Sequence, residues 1–356
     1  MRNITLNMII KNEAPVITRC LASVKPLIDH WVIVDTGSTD GTQDIVRDFM
    51  QGVPGTLFER PWKNFAHNRN EALELARPYG GYLLFIDADE QLRVPSGFTW
   101  PALSADGYTL TCHMDGWEYQ RNSLVATRIG WRWEGVLHEY LTAKQHGPWQ
   151  TLQGPVIHVS HDGARARDPE TYLRDMALLE QAVRDDPTNT RNVFYLAQSC
   201  RDAGKIEPSL QWYQRRVDMG GWDEERWYAL FQIAVLHERN QAPPTTVRNA
   251  YLAAYAARPQ RAEPLCELAR YHRERAEHAL ATVFALQASH IPQPADILFV
   301  DTQVYAWRAL DELAVSAFYT PHRDLGRAAL QRLLAERRYP TDQAQRIEAN
   351  QAFYGL

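Results

Sequence analysis

Three carboxylates stand within four positions at the end of Tyr82-Leu83-Leu84-Phe85-Ile86-Asp87-Ala88-Asp89-Glu90. The apolar run before them, flanked by Gly80 and Gly81, reads as a strand buried on both faces, as in a parallel sheet. An unpaired carboxylate is too costly to keep deep in such a core. The acids therefore mark the carboxyl end of the strand, the edge at which open α/β sheets bind their ligands. Asp87 and Asp89, separated by one residue on a turning chain, can face a single divalent cation. The chemistry this fits is a metal–diphosphate site.

Two other apolar runs end in the same way. Residues 31–34 lead into Asp35-Thr36-Gly37-Ser38-Thr39-Asp40-Gly41-Thr42, and residues 4–10 lead into Lys11-Asn12-Glu13. Alone, the Asp35 loop is a capped turn between a strand and a helix. Together the three runs put acids on successive strand ends along one sheet edge, and that juxtaposition points to a ligand.

The elements that must hold these ends alternate. Strands at 4–10, 31–34, 56–59 and 82–86 are separated by three helices. The first opens at Asn12-Glu13 with Pro15 and runs to about 25. The second leaves the Asp35 loop, and the third covers 64–77. This βαβαβαβ order predicts a Rossmann-like, mostly parallel sheet with helices on both faces. Alternating segments at 108–113, 123–129, 135–141 and 155–159 predict further strands on the acceptor side of the same domain.

From Asp168, expected as a helix cap with Pro169 in the first turn, the chain reads as helical to its end. Leu196, Leu230 and Leu265, with the small residues Cys200, Ala234 and Ala269, recur at a period of about 34 residues. Breaks at Gly204, Pro243-Pro244 and Arg275 separate each marked helix from its partner. Trp212, Tyr213, Trp222, Trp227 and Tyr228 are expected to fill helix–helix contacts, and helices at 304–319 and 324–338 to close the array. The expected fold class is α/β followed by an all-α helical repeat, with domains at 1–165 and 166–356.

Composition narrows the function. The 356 residues are 45% hydrophobic and 23% charged, as in a globular protein. A formal net charge of −5 disfavours nucleic acid as a partner. No run approaches the roughly 20 apolar residues that span a bilayer. Cys20, Cys112, Cys200 and Cys266 lack CxxC spacing and read as reduced thiols of a cytoplasmic chain.

Leu6-Asn7-Met8-Ile9-Ile10-Lys11-Asn12-Glu13, the Val32–Thr42 stretch and Phe85-Ile86-Asp87-Ala88-Asp89-Glu90 resemble the family 2 glycosyltransferases of GT-A fold over about the first 160 residues. Lys11-Asn12-Glu13, Val136-Leu137-His138-Glu139 and the helical tail are similar to a subgroup that includes the sublancin-type peptide S-glycosyltransferases. The tail itself resembles degenerate tetratricopeptide repeats, with Arg216 where that pattern prefers Ala. The resemblance implies a nucleotide-diphosphate sugar as donor, a uridine diphosphate sugar favoured, and Mn²⁺ or Mg²⁺. It places Asp35 at the base or ribose with Asn12, Glu13 and Ala88 beside the nucleotide. Asp87 would meet ribose or metal-bound water, Asp89 would bind the metal, and His161 would return to it. Arg69 would face the nucleotide, with His67 a weaker candidate. Glu139, preceded by Trp133-Glu134-Gly135, is the expected general base of an inverting transfer, with Glu134 and Asp115 as alternatives.

Trp117, Tyr119, Trp131 and Trp133 are candidates for an aromatic wall at the acceptor. The repeats are expected to recruit a peptide, protein or glycan acceptor, or to pair two copies of the chain. Two other classes compete. A nucleotidyltransferase shares the acidic strand end but carries a Gly-rich phosphate loop after its first strand, where this chain has Lys11-Asn12-Glu13. A binding scaffold with an inactive sheet would not need Asp35, Asp87 and Asp89 together.

Overall fold

The computed structural model describes residues 3–160 and 162–356. By internal contacts the chain forms two compact units, one of residues 3–115 and 119–203, the other of 116–118 and 204–356.

The first unit opens with the alternation read from the sequence. It runs β1 (Ile4–Ile10), α1 (Ile17–Val24), β2 (His30–Asp35), α2 (Thr42–Phe49), β3 (Gly55–Glu59), α3 (Phe65–Ala76) and β4 (Tyr82–Phe85). It continues with β5 (Gln91–Arg93), β6 (Gly107–Met114), β7 (Trp117–Ala126), β8 (Arg132–Glu134), β9 (Tyr140–Thr142) and β10 (Gln150–His158). Strands β3-β2-β1-β4 are parallel, β7 joins β4 antiparallel, and β6, β10 and β5 complete the order. The sheet is mixed because β7 runs antiparallel to β4 and β5 antiparallel to β10, while the half that carries the acids is the parallel one expected. Register sets Asp35 opposite Ile10 and Phe85 opposite Asn7, so the three acid-bearing ends share one edge.

Both faces of the sheet are covered, which is why its central strands are continuous apolar runs. Ile4, Leu6, Met8, Leu84 and Ile86 pack with Ile17, Leu21 and Val24 of α1. Val32, Leu83 and Phe85 pack on the other side with Leu73 and Ala76 of α3 and with Trp131.

Several elements differ from the sequence expectation. Helix α1 starts at Ile17, because residues 12–16 form a turn in which the Glu13 carbonyl accepts from Val16 and Ile17. Strand β7 covers 117–126 rather than 123–129. Residues 135–139, expected within a strand, are instead the loop of the β8–β9 hairpin, where Gly135 at φ 113° and His138 at φ 50° turn the chain out of extended geometry.

After α4 (Ala164–Arg167) come α5 (Thr171–Asp185) and α6 (Thr190–Asp202). Asp168 does not cap α5 directly. Its Oδ1 accepts from the Glu170 amide and its carbonyl from Thr171, so the helix starts three residues later. Helix α6 packs against α5 within the first unit.

The second unit is helical: α7 (Ile206–Asp218), α8 (Asp223–Arg239), α9 (Pro244–Ala257), α10 (Glu263–Arg273) and α11 (His278–His290), then the short β11 (Val300–Asp301), α12 (Ala309–Ala317) and α13 (Arg323–Glu336). Each helix packs on the next, so the partners expected after the breaks at Pro243 and Arg275 are found as α8 with α9 and α10 with α11. Two further helices, α14 (Thr341–Ala349) and α15 (Gln351–Tyr354), end the array, where Tyr354 donates to the Ala314 carbonyl at 2.6 Å. Tyr213, Trp227 and Tyr228 are buried as expected, but Trp222 is exposed. Arg216 is fully buried because Glu225 and the Gly220 carbonyl accept from it at 2.6–3.0 Å. All four cysteines are free and fully buried.

Candidate active site

The end of β2 is built around Asp35, which is 1% exposed. Its Oδ1 accepts from the amides of Gly37 and Ser38 at 2.9 Å and from Gln43 at 3.1 Å, while Oδ2 has no protein partner. A buried carboxylate oxygen left without a protein donor takes its hydrogen bond from water or a ligand. Asn12 joins this loop to the end of β1: its amide donates to Ser38 Oγ and its Oδ1 accepts from Thr39, both at 2.8 Å. That clamp holds Asn12 in the left-handed region, φ 56°, which Asn tolerates better than most residues.

Beyond β4, Asp87, Ala88, Asp89 and Glu90 form a tight turn closed at both ends. The Glu90 amide donates to the Asp87 carbonyl at 3.1 Å, and the Asp87 amide donates to Glu90 Oε2 at 2.9 Å. Glu90 is 3% exposed and forms a two-pronged ion pair with Arg121 of β7 at 2.8 and 2.5 Å. Glu90 is therefore the turn's anchor. Arg121 also stands 3.6 Å from Asp87, and Arg69 of α3 donates to Asp87 at 2.8 Å. Burial works to raise the Asp87 pKa, but the two guanidinium groups outweigh it and leave Asp87 below the ordinary carboxylate value.

Asp89 is different. Burial, then the charges of Asp87 and Glu90, push its pKa up to about 6. Among the described residues no arginine or lysine pairs with its carboxylate; Arg19 instead donates to its carbonyl at 2.9 Å and holds Asp162 at 2.7–2.8 Å. Gly163 passes so close that a Cβ there would lie 2.6 Å from Asp89 Oδ2. The next amide, Ala164, donates to Glu13 Oε2 at 3.0 Å. Burial pushes Glu13 up to about 7 despite that bond, with Asp89 adding to the rise.

This donor set fits a hard cation. Asp89 is a partly buried carboxylate with acids beside it and, among the described residues, no basic partner, so a divalent ion would relieve it. Among the described residues no three His, Cys, Asp or Glu side chains converge into a metal cage. Such an ion would complete its shell from phosphate and water, as Mg²⁺ commonly does. His161, expected as a second ligand, lies outside the described residues. His158 ends β10, opposite Gln91 on one side and His113 on the other.

Glu139 comes to the same cluster from the β8–β9 loop. Its side chain is 7% exposed, Oε2 stands 3.7 Å from Arg69 Nε, and Oε1 has no protein partner. Burial raises its pKa against the opposing charge of Arg69. The loop is pinned from α3, where Asn70 exchanges hydrogen bonds with the Trp133 backbone at 2.8 and 2.9 Å, and Arg69 lies over the Trp133 ring at 5.1 Å. The alternative Glu134 is paired with Arg132, accepts from Tyr140, and has a lowered pKa through these bonds. Asp115 forms the turn joining β6 to β7, at φ 48°.

Other expectations are not met as drawn. The four candidate aromatics do not form one wall: Trp131 is buried against His146 and Trp149, Trp133 meets Phe85 edge-on, Tyr119 lines the sheet core, and Trp117 packs on Tyr228 and Phe231 in the second unit. Ala88 is buried in the core, so its side chain is not open to a ligand. The side chain of His67 lies on the surface of α3, whose cap Asn64 takes the His67 amide at 2.8 Å. Residues missed in the sequence include Arg121 and Arg165, which is paired with Asp175 at 2.7–2.9 Å and lies over Phe65 at 4.7 Å.

Residues 5–94 match the family model described as Glycosyl transferase family 2. The TPR repeat-containing protein Synpcc7942_0270 of Synechococcus elongatus is 26% identical over 275 residues, 71% of this chain and 66% of its own length. The SPbeta prophage-derived glycosyltransferase SunS of Bacillus subtilis is 25% identical over 228 residues, 60% of this chain and 53% of its own. The chain thus spans between about half and two thirds of the length of these relatives. Among solved structures, MamA matches with a TM-score of 0.37 at 13% identity, covering 47% of this chain and 89% of MamA.

Proposed function

We propose, on the premise that a family 2 glycosyl transferase domain occupies residues 5–94, that the chain is a metal-dependent, inverting glycosyltransferase using a nucleotide-diphosphate sugar. The observation that carries this reading is Glu139: a buried carboxylate with raised pKa and a free oxygen, 3.7 Å from the arginine that also holds Asp87.

In this reading Asp35, through its unpartnered Oδ2, and Asn12 and Glu13 beside it hold the nucleoside. Asp87, fixed by Arg69 and Arg121, would meet the ribose. Asp89 would hold Mn²⁺ or Mg²⁺, with His161 as the candidate further ligand. The cation, when bound, neutralises charge developing on the diphosphate. The acceptor's nucleophilic atom forms its bond to the anomeric carbon as the sugar–phosphate bond breaks, and the acceptor proton passes to Glu139. A carboxylate whose pKa is raised by burial is the better proton acceptor for this step. The helices of the second unit are assigned to a peptide or glycan acceptor, or to pairing two copies.

A panel of nucleotide-diphosphate sugars with Mn²⁺, read by release of free nucleoside diphosphate, tests the class without an acceptor. One donor should turn over, and Glu139→Gln should lower turnover by about 100-fold or more while its donor dissociation constant stays within about twofold. No turnover with any donor would overturn the reading.

A further inference from the structure

The loop that carries Glu139 is held from a helix outside the sheet. Arg191, in the first turn of α6, donates to the His138 carbonyl through Nη2 at 2.8 Å and Nε at 3.2 Å. Its guanidinium lies over Tyr195 at 4.8 Å and over Tyr140 at 5.2 Å. The His138 ring stacks on Tyr195 with centroids 4.0 Å apart and planes 15° apart. Among the described residues no carboxylate pairs with Arg191, so its donors are directed at a backbone carbonyl one residue from the candidate base. His138 itself sits at φ 50°, a conformation that a residue with a bulky side chain keeps only when its surroundings impose it.

We propose that Arg191 and Tyr195 are positioning residues for Glu139. They hold residues 135–139 in the shape that delivers the carboxylate to Arg69, which makes α6 a part of the catalytic apparatus rather than the start of a passive array. This rests on the reading of Glu139 as the base. Arg is suited to the task because its planar fork bonds and stacks at once, whereas Lys offers a point charge without the stacking plane. The physical link is preorganisation: a base on a loop is effective only when packing and hydrogen bonds outside the site fix it.

The test uses Arg191→Met and Arg191→Lys in the full chain, with UDP-glucose and Mn²⁺ as the first probe and the donor identified by the panel thereafter. Arg191→Met should leave the donor dissociation constant within about twofold and lower acceptor-free donor hydrolysis by about tenfold or more, with Arg191→Lys between it and wild type. Hydrogen exchange should quicken by about tenfold or more at the amides of 135–140, while β1 and β4 keep their protection. Unchanged exchange in 135–140 overturns the clamp. Quickened exchange with unchanged hydrolysis overturns the link to Glu139. A wild-type chain that turns over no donor removes the base reading itself, and the exchange measurement still decides the clamp.

Discussion

Arg69 Nε stands 3.7 Å from Oε2 of Glu139, and Nη2 of the same guanidinium donates to Asp87 at 2.8 Å. One cation thus serves the candidate base and Asp87 together. When Glu139 accepts a proton its charge is lost, and the guanidinium is left to Asp87. In the proposed reaction Arg69 would therefore couple the base to Asp87, besides being a structural partner of both.

Arg69→Met should therefore act on both. Removing Arg69 leaves the buried Glu139 uncompensated, while solvent screens the 41% exposed Asp87, and the expected loss is about 2 kcal/mol of stability, measured as a lower urea midpoint. Donor hydrolysis should fall by about 100-fold. Arg69→Lys should recover part of the stability and little of the turnover, since it cannot address two carboxylates from one plane.

The raised pKa values of Glu13 and Asp89, about 7 and about 6, fix the sign of a pH effect. Both groups hold protons more tightly in the folded state than in the unfolded one. Their contribution to stability is full below the ordinary carboxylate range and is lost as pH rises through about 6 to about 7. Without divalent ions the chain should unfold more easily at pH 7.5 than at pH 5.5. Mn²⁺ binds the ionised form, so the stabilisation it confers should grow over the same interval. Asp89→Asn should flatten the pH dependence and remove most of the Mn²⁺ effect; a thermal melt at both pH values, with and without Mn²⁺, reads all of these.

Gly163→Ala is the most local test of the Asp89 site. The added methyl would start 2.6 Å from Oδ2, so either the Asp89 carboxylate or the Gly163 backbone must move. The expected result is donor binding weakened by about tenfold in the presence of Mn²⁺, with a thermal midpoint close to that of wild type, measured by calorimetric titration.

Glu90 and Arg121 form the ion pair that anchors the Asp87–Glu90 turn. Arg121→Met leaves Glu90 buried without its cation and should cost about 3 kcal/mol or more. The double change to Glu90→Gln and Arg121→Met should be less destabilising than the sum of its parts. A urea-denaturation cycle over the four chains gives the coupling directly.

The strand ends were legible because an apolar run that stops at an acid has one physical reading, and Glu13, Asp35, Asp87 and Asp89 do lie at the edge so defined. The parallel half of the sheet was legible for the same reason. Residues 135–139 were not, because Gly135 and His138 take backbone angles that a pattern of apolar and polar residues does not encode. Arg121 was missed because an arginine within an alternating strand reads as a solvated side chain until its partner Glu90 is known to be buried. What Gly163 spares was not legible either, since it is the space beside Asp89, 74 positions away. Arg191 was hidden in the same manner: its acceptor is a carbonyl, and every residue has one.

The buried thiols have a practical corollary. Cys20 donates to the Asp87 carbonyl at 3.3 Å, and burial raises the pKa of each of the four cysteines above its ordinary value. A thiol that is enclosed and protonated is a poor nucleophile. The native chain is thus a silent background for maleimide chemistry, and a single cysteine placed at exposed Tyr172 or Trp222 would carry the only reactive handle for a fluorophore.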